Sequence, residues 1–475
     1  MNLPELGIGV AYFAGLEPLL EPGGLADVIE VEPQTLWLQP DAVASAYRVD
    51  AQALARVCGL PGAKIMHGIG FAVGGTLAPE PAQFPPLLEM QAALGAPWMS
   101  EHLAFNRARQ GGREYTTSFM LPPRQSTAGI DAAVRSIREM AKELPVPFAF
   151  ETGVNYLRPR SDEIPDGEFT ARIAEAADCG ILLDLHNIWC NERNGRQPVE
   201  DFLRALPLER VWEVHLAGGF ERRGYYLDSH SGAIPPPLAE LAARVLPRLP
   251  NLRALIFELF PSYLPKVGLG TVRGELERLH RLWDRRKPLH TQQGSGKRQM
   301  AETVSSPGPV PEDWEDALGA LVVGRSAENE LADALLADPG VPIVRELLEE
   351  FRASMTVEVC KLTFRLIVLS RGEAAFDALL AGYWAREMPQ RFASAEATGF
   401  MEYIVTQALD VPYLAEVLAF ERATLATLLD GEARVVPFAH DPMSVLRPLS
   451  EGRLPKDPKP GTYEVELTPL GAADS

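Results

Sequence analysis

The chain has 475 residues, 46% of them hydrophobic and 23% charged, which is enough for two domains with sizeable cores. A formal net charge of −19 argues against a general nucleic-acid binder, which carries a basic excess. Four cysteines without a CxxC pair (Cys58, Cys179, Cys190, Cys360) argue against a disulfide scaffold and match reduced thiols in a cytoplasmic protein. Met1 to Gly7 has neither a basic stretch nor a long apolar run, so no signal peptide and no membrane span are expected.

Residues 1–284 alternate between short apolar runs and amphipathic stretches. Strands are expected at 28–32, 64–67, 98–102, 147–151, 180–184, 210–215 and 254–258. Helices are expected at 84–94, 130–144, 168–177, 199–206, 238–246 and 272–283. Strands that are nearly continuous apolar runs, separated by helices, indicate a parallel sheet buried on both faces. The number of units and their length fit an α/β fold of the (β/α)8 TIM-barrel type.

Residues 285–312 are rich in Gln, Gly, Ser, Thr and Pro and read as a flexible linker. From residue 313 onward the pattern is mostly helical. Apolar residues recur at helical spacing in 315–321, 328–336, 342–351, 355–369, 373–383, 398–407 and 413–429. The alternation of Thr462 to Leu467 indicates a short C-terminal strand.

Polar residues of one chemical kind recur along the first half. His67, His102, Glu151, Asp184, His186, Asn187, His215, Asp228, His230 and Glu258 lie at or just beyond the C-terminal ends of successive strand-like runs. In a barrel those ends converge on one face. Imidazoles bind transition metals, and carboxylates bridge ions while offsetting their charge. Each residue alone has an ordinary reading, as a core histidine or a helix-capping acid. Together, at the same end of successive strands, they predict a multi-metal site.

The order His, His, Glu, Asp-x-x-Asn, His, Asp-x-His, Glu resembles the trinuclear sites of xylose-isomerase-like barrels. Further motifs narrow the resemblance: Gly7-Ile8-Gly9, Glu30-Val31-Glu32-Pro33, His67-Gly68-Ile69-Gly70, Ser100-Glu101-His102-Leu103-Ala104-Phe105 and Glu151-Thr152-Gly153-Val154-Asn155-Tyr156, with the segments around Asp184, His215 and His230. Over residues 5–284 the chain resembles the multinuclear non-haem iron oxidases of ribosomal peptide natural-product pathways, the methanobactin oxazolone-forming oxidase among them.

That resemblance implies two or three irons in mixed Fe(II)/Fe(III) states, O2 as co-substrate, and a cysteine of a precursor peptide as the group modified. By it, His67, His102 and Glu151 hold one iron. Glu151 bridges to a second, held also by Asp184, His215 and Glu258. Asn187, Asp228 and His230 hold a third, with His186 either a ligand or a support behind one. Where relatives carry Glu-Asn-Tyr and Glu-Asn segments, this chain reads Glu-Pro-Gln at 32–34 and Glu-Thr-Gly at 151–153, which alters the pocket.

Such oxidases work with a separate helical partner that recognises the peptide's leader. Pro412 to Ala423 is similar to the helical half of that partner, so the chain resembles an oxidase fused to its partner. The partner expected is therefore a precursor peptide, with neither nucleic acid nor membrane. The rival activity is a trinuclear zinc phosphodiesterase of the endonuclease type, which shares much of the ligand order but favours a basic surface.

Overall fold

In the computed structural model, residues 3–39, 47–286, 310–327 and 329–469 are described. The expected linker at 285–312 lies almost wholly outside them. Eight parallel strands close into a barrel in sequence order. They are β1 Gly7–Ala11, β2 Val28–Val31, β3 Ala63–Gly68 and β4 Met99–His102. The second half is β5 Phe148–Glu151, β6 Gly180–Asp184, β7 Val211–Ala217 and β8 Ala254–Glu258. β1 pairs with both β2 and β8, which closes the ring.

Seven of these strands stand where the apolar runs predict them, and β1 is the addition. Its sequence, Gly-Ile-Gly-Val-Ala, is too short and glycine-rich to signal a strand. The glycine has a packing reason: a Cβ at Gly9 would collide with the carbonyl oxygen of Val28 on β2.

The period of two along each strand divides the barrel into an outside and an inside. Outward residues such as Ile29, Met66, Met99, Phe150, Leu183, Val214 and Phe257 join the large core beneath the helices. Inward, Val28, Ile65, Trp98, Ala254 and Ile256 form an apolar plug, joined by Leu3. Two residues further along the same strands come Glu30, His67, Ser100 and Glu258, so an apolar floor carries a polar layer. Contacts across the lumen confirm the inward direction. Trp98 Nε1, just before β4, donates to Glu213 Oε2 on β7 at 2.9 Å, and His215 Nε2 on β7 lies 3.1 Å from Glu30 Oε2 on β2.

The expected helices are present, as Phe84–Leu94, Thr127–Glu143, Asp166–Ala177, Val199–Ala205, Pro236–Val245 and Leu269–Arg285. Two more appear. Ala51–Gly59 is capped by Asp50, whose carboxylate accepts from the amides of Gln52 and Ala53. Leu185–Arg193 follows β6 directly. Two antiparallel hairpins, Phe105–Gln110 with Arg113–Leu121 and Phe220–Arg222 with Tyr225–Leu227, extend the loops after β4 and β7.

Beyond the linker the chain is mostly helical: Pro311–Val322, Ala332–Leu336, Gly340–Val359, Lys361–Arg371, Glu373–Trp384, Ala393–Thr406, Leu414–Asp430 and Pro442–Ser450. The apolar stretch at 355–369 is not one helix, because the chain leaves helical geometry at Cys360. The tail strand, Pro460–Leu467, pairs antiparallel with Arg434–His440.

This region has its own core around Phe376, Phe400 and Val417. It also shares a core with the barrel. Trp314, Leu318, Val341 and Val344 pack with Phe105, Leu121, Tyr156, Leu157 and Leu227. Those barrel residues belong to the loops after β4, β5 and β7, so the helical region sits against the C-terminal face. Hydrogen bonds reinforce the seam: Trp314 Nε1 donates to Pro122 O at 2.9 Å, and Glu315 accepts from Thr76 N at 2.8 Å and Thr76 Oγ1 at 2.6 Å. None of the described helices is long and apolar enough to cross a membrane.

Candidate metal centre

Six strands end on a residue of the expected set or carry it one or two positions from the end: His67 on β3, His102 on β4, Glu151 on β5, Asp184 on β6, His215 on β7 and Glu258 on β8. Asp184 also caps the helix that follows, its carboxylate accepting from Asn187 N at 2.8 Å. That cap places His186 and Asn187 in the helix's first turn, over the same face. Asp228 and His230 arrive from the loop after β7, and His230 has φ of 41°, a left-handed conformation rare for a side-chain-bearing residue.

The side chains gather into overlapping groups able to hold metal ions. His67, His102 and Glu151 form one, Glu151, Asp184 and His215 a second, and Asp184, His230 and Glu258 a third. A further group joins His186, Asp228 and His230. Shared members make this one continuous centre. Glu151 Oε2 lies 3.3 Å from His67 Nε2 and 3.0 Å from His102 Nε2, and Glu258 Oε2 lies 3.1 Å from His215 Nδ1.

The histidines are oriented from behind. His67 Nδ1 lies 2.9 Å from Ser100 Oγ and His102 Nδ1 3.1 Å from Gly68 O, leaving both Nε2 atoms facing Glu151. His215 is held by Nε2 against Glu30, which turns Nδ1 toward Glu151 and Glu258. Metal-binding histidines are commonly fixed in this way through the other ring nitrogen. His186 differs: its Nδ1 lies 2.9 Å from Asp228 Oδ1 and its Nε2 3.7 Å from Cys190 Sγ. Cys190 is fully buried there.

The donor set fits metal ions on two counts. Asp184 Oδ2 and Asn187 Oδ1 are buried without a hydrogen-bond partner, and Glu151 Oε2, His215 Nδ1, His230 Nε2 and Glu258 Oε2 make only ion-pair contacts within the cluster, none with hydrogen-bond geometry. A buried atom left without a partner costs about 1–3 kcal/mol, and all six carry lone pairs and belong to the expected set. A shared cation satisfies them together.

Electrostatics gives the second count. Burial disfavours the cation on His67, yet contact with Glu151 and the charge of Glu30 raise its pKa to about 10. His230 is likewise raised to about 10, against burial, by Asp228 and Glu258. Burial raises Asp184 well above the carboxylate range, and the charges of Glu151 and Glu258 add to it. Glu258 is held below its usual range, against burial, by His215 and His230. Without ions the cluster therefore retains protons on its histidines, and bound ions take their place.

Three inward acids were not among the candidate ligands read from the sequence, although Glu30 and Glu32 lie in one of its motifs. Glu30 is buried, which pushes it up to about 7, with His215 pulling it down. Glu213 accepts from Trp98 and, with Glu30 and His215, makes a deeper buried group. Glu32 lies at the end of β2, raised by burial despite His67 and with Glu258 adding to the rise. Their signal was the strand period: Glu30-x-Glu32, Ser100-x-His102 and Glu213-x-His215 each put the second polar residue on the same inward face.

Residues 33–266 match the family model described as the RiPP precursor modification enzyme MbnB/TglH/ChrH, RiPP denoting a ribosomally made and later modified peptide. A UPF0276 protein of Anaeromyxobacter sp. is 30% identical over 204 residues, 43% of this chain and 70% of its own. The chain belongs to the UPF0276 family. Another member, from Streptomyces avermitilis, is 27% identical over 436 residues, 86% of this chain and 88% of its own, so that alignment reaches into the helical region. Among solved structures, D-psicose 3-epimerase from Clostridium cellulolyticum has 14% identity and a TM-score of 0.35, covering 59% of this chain and 96% of its own. The family-model match supports a RiPP-modifying role for this UPF0276 member, with a precursor peptide as the substrate class it implies.

Proposed function

We propose that the protein is a multinuclear iron- and O2-dependent oxidase that modifies a cysteine of a ribosomally made precursor peptide. The observation that carries this reading is the set of six buried lone-pair atoms without a well-formed hydrogen bond, gathered at the C-terminal end of a barrel that matches the RiPP-modification family model. His67, His102 and Glu151 would hold one iron, Glu151, Asp184, His215 and Glu258 a second, and Asn187, Asp228 and His230 a third. His186, whose ring is turned to Asp228 and Cys190, would support Asp228. Oxygen-rich donors at the third position favour iron over zinc.

Iron so held supplies O2 activation and one-electron oxidation of a bound thiolate. The chain's own residues do the rest. Glu30, Ser100 and the Gly68 carbonyl fix imidazole orientation, so the donors are preorganised. The apolar floor of Val28, Ile65 and Ile256 closes the lumen beneath the donors, so a peptide would approach from the C-terminal face. Residues 313–475 would hold the leader, since they pack on the loops that frame the mouth and end in a two-stranded hairpin available for strand addition.

The test uses full-length protein loaded anaerobically with Fe(II), mixed with candidate cysteine-bearing precursors and exposed to O2. A mass change on the peptide, abolished in His102→Ala, is the expected result. Unchanged peptide masses, or identical behaviour of wild type and His102→Ala, would refute the reading.

A further inference from the structure

The helical region and the metal mouth meet at one side chain. Tyr156, in the loop after β5, is only 4% exposed and belongs to the core shared by barrel and helical region. Its hydroxyl oxygen accepts from the backbone N–H of Asp228 at 2.9 Å. Asp228 Oδ1 in turn lies 2.9 Å from His186 Nδ1 and 2.8 Å from His230 Nε2. The loop that carries both acid and histidine needs such a tether, because His230 sits at φ of 41°.

The other side of Tyr156 is fixed by the helical region. The helix Gly340–Val359 begins directly against it: a Cβ at Gly340 would collide with the Tyr156 carbonyl oxygen. Asp338, just before that helix, accepts from Arg158 N at 3.1 Å through Oδ2 and from Gly340 N at 2.9 Å through Oδ1. Val341 and Val344 pack into the same core as Tyr156 and Leu157. The Tyr225 ring, from the hairpin leading to Asp228, lies 6.3 Å from that of Tyr156.

We propose that Tyr156 is a positioning residue through which the docked helical region sets the third metal position, at Asp228 and His230, while leaving the positions built on His67, His102 and Glu151 to the barrel strands alone. The route is continuous and short: helix Gly340–Val359, the Tyr156 backbone, the Tyr156 hydroxyl, the Asp228 amide, the Asp228 carboxylate. Among the described residues, the ligands of the first two metal positions stand on strand ends, and their side chains make no hydrogen bond to Tyr156 or to a residue beyond 310. The proposal rests on the multinuclear reading above and adds to it a division of labour: the barrel builds two positions, and the helical region completes the third.

The experiment is anaerobic titration of full-length apoprotein with 57Fe(II), resolving successive equivalents by Mössbauer spectroscopy. In Tyr156→Phe, which keeps the ring in the core and removes only the hydroxyl, the third equivalent is expected to bind about 10- to 100-fold more weakly, the usual cost of losing a group that orients a ligand. The first two equivalents and their doublets should match wild type. Gly340→Ala, which presses on the Tyr156 carbonyl from the helical side while leaving the strand-end ligands in place, should weaken the same equivalent. Wild-type-like third binding in both variants would overturn the proposal, as would a uniform loss of all three, which marks general destabilisation. A wild type that fills only two positions, with Tyr156→Phe indistinguishable from it, would also overturn it while leaving an iron oxidase intact. No iron uptake by wild type would instead remove the functional reading itself.

Discussion

Glu151 is the residue on which the centre turns, because it belongs to both the His67–His102 group and the Asp184–His215 group. Glu151→Ala should therefore lower metal content by two ions per chain, whereas His67→Ala should lower it by one; metal analysis after anaerobic loading distinguishes them. Equal losses would show that Glu151 does not bridge. The raised histidines give a pH prediction with a definite sign. His67 and His230 titrate near pH 10 in the metal-free cluster, so at pH 7 they carry protons that incoming ions must displace. Metal binding should release protons, and apparent affinity should fall as pH falls from 8 to 6. Calorimetry in buffers of different ionisation enthalpy reads the release directly, and pH-independent binding would contradict it.

At this scale the sequence marked the candidate ligands and concealed their supports. His, Asp and Glu at strand ends announce themselves by chemical type. Glu30, Glu213 and Tyr156 act through an imidazole or a backbone amide, and nothing in their immediate neighbours distinguishes them from ordinary strand and loop residues. Only the inward alternation of the closed barrel, and the packing of a distant helix on Tyr156, make their contacts visible.

Among the elements, the helix Pro311–Val322 binds the two halves together. Trp314 is 1% exposed and its indole N–H is bonded to Pro122 O, so Trp314→Ala should cost about 3–5 kcal/mol at the seam. Glu315 beside it is buried, which raises its carboxyl to about 7. An acid whose folded pKa exceeds its unfolded value binds more protons when folded, so its contribution is full below about pH 4.5 and is lost as pH rises through about 7. Wild type should lose up to about 1.4 kcal/mol per pH unit in that window relative to Glu315→Gln, which keeps the partners at Thr76 without titrating. Parallel denaturation curves of the two proteins at pH 5 and pH 7 would contradict this.

Element boundaries in the barrel were legible because apolar runs and 3.6-residue spacing are strong local signals. β1 was not, because close approach of β2 demands glycine where a strand would otherwise show branched residues. The hairpins after β4 and β7 were missed for another reason. Their residues pack on the helical region, and their apolar content reads as loop until that partner is in place. The strand Arg434–His440 is recognisable only through its pairing with Pro460–Leu467.

For the molecule as a whole, the described residues pass from barrel to helices between 286 and 310, and composition alone hides how closely the two parts join. Phe105, Leu121, Tyr156, Leu157 and Leu227 would all be uncovered by removing residues 310–475. Truncation therefore removes the leader-binding candidate and exposes an apolar surface at once, which is why single substitutions at Tyr156, Gly340 and Trp314 are the sharper probes. The net charge of −19 still permits a peptide partner, and the −19 field disfavours the phosphodiesterase alternative at any polyanionic substrate.

The central claim, a multinuclear iron centre on the barrel's C-terminal face, is tested most directly by elemental analysis of anaerobically purified full-length protein with Mössbauer spectra of 57Fe-loaded samples. Two to three irons per chain with exchange-coupled signals is the result expected. Stoichiometric zinc without iron, even after iron-supplemented expression, would contradict it and put phosphodiester hydrolysis first.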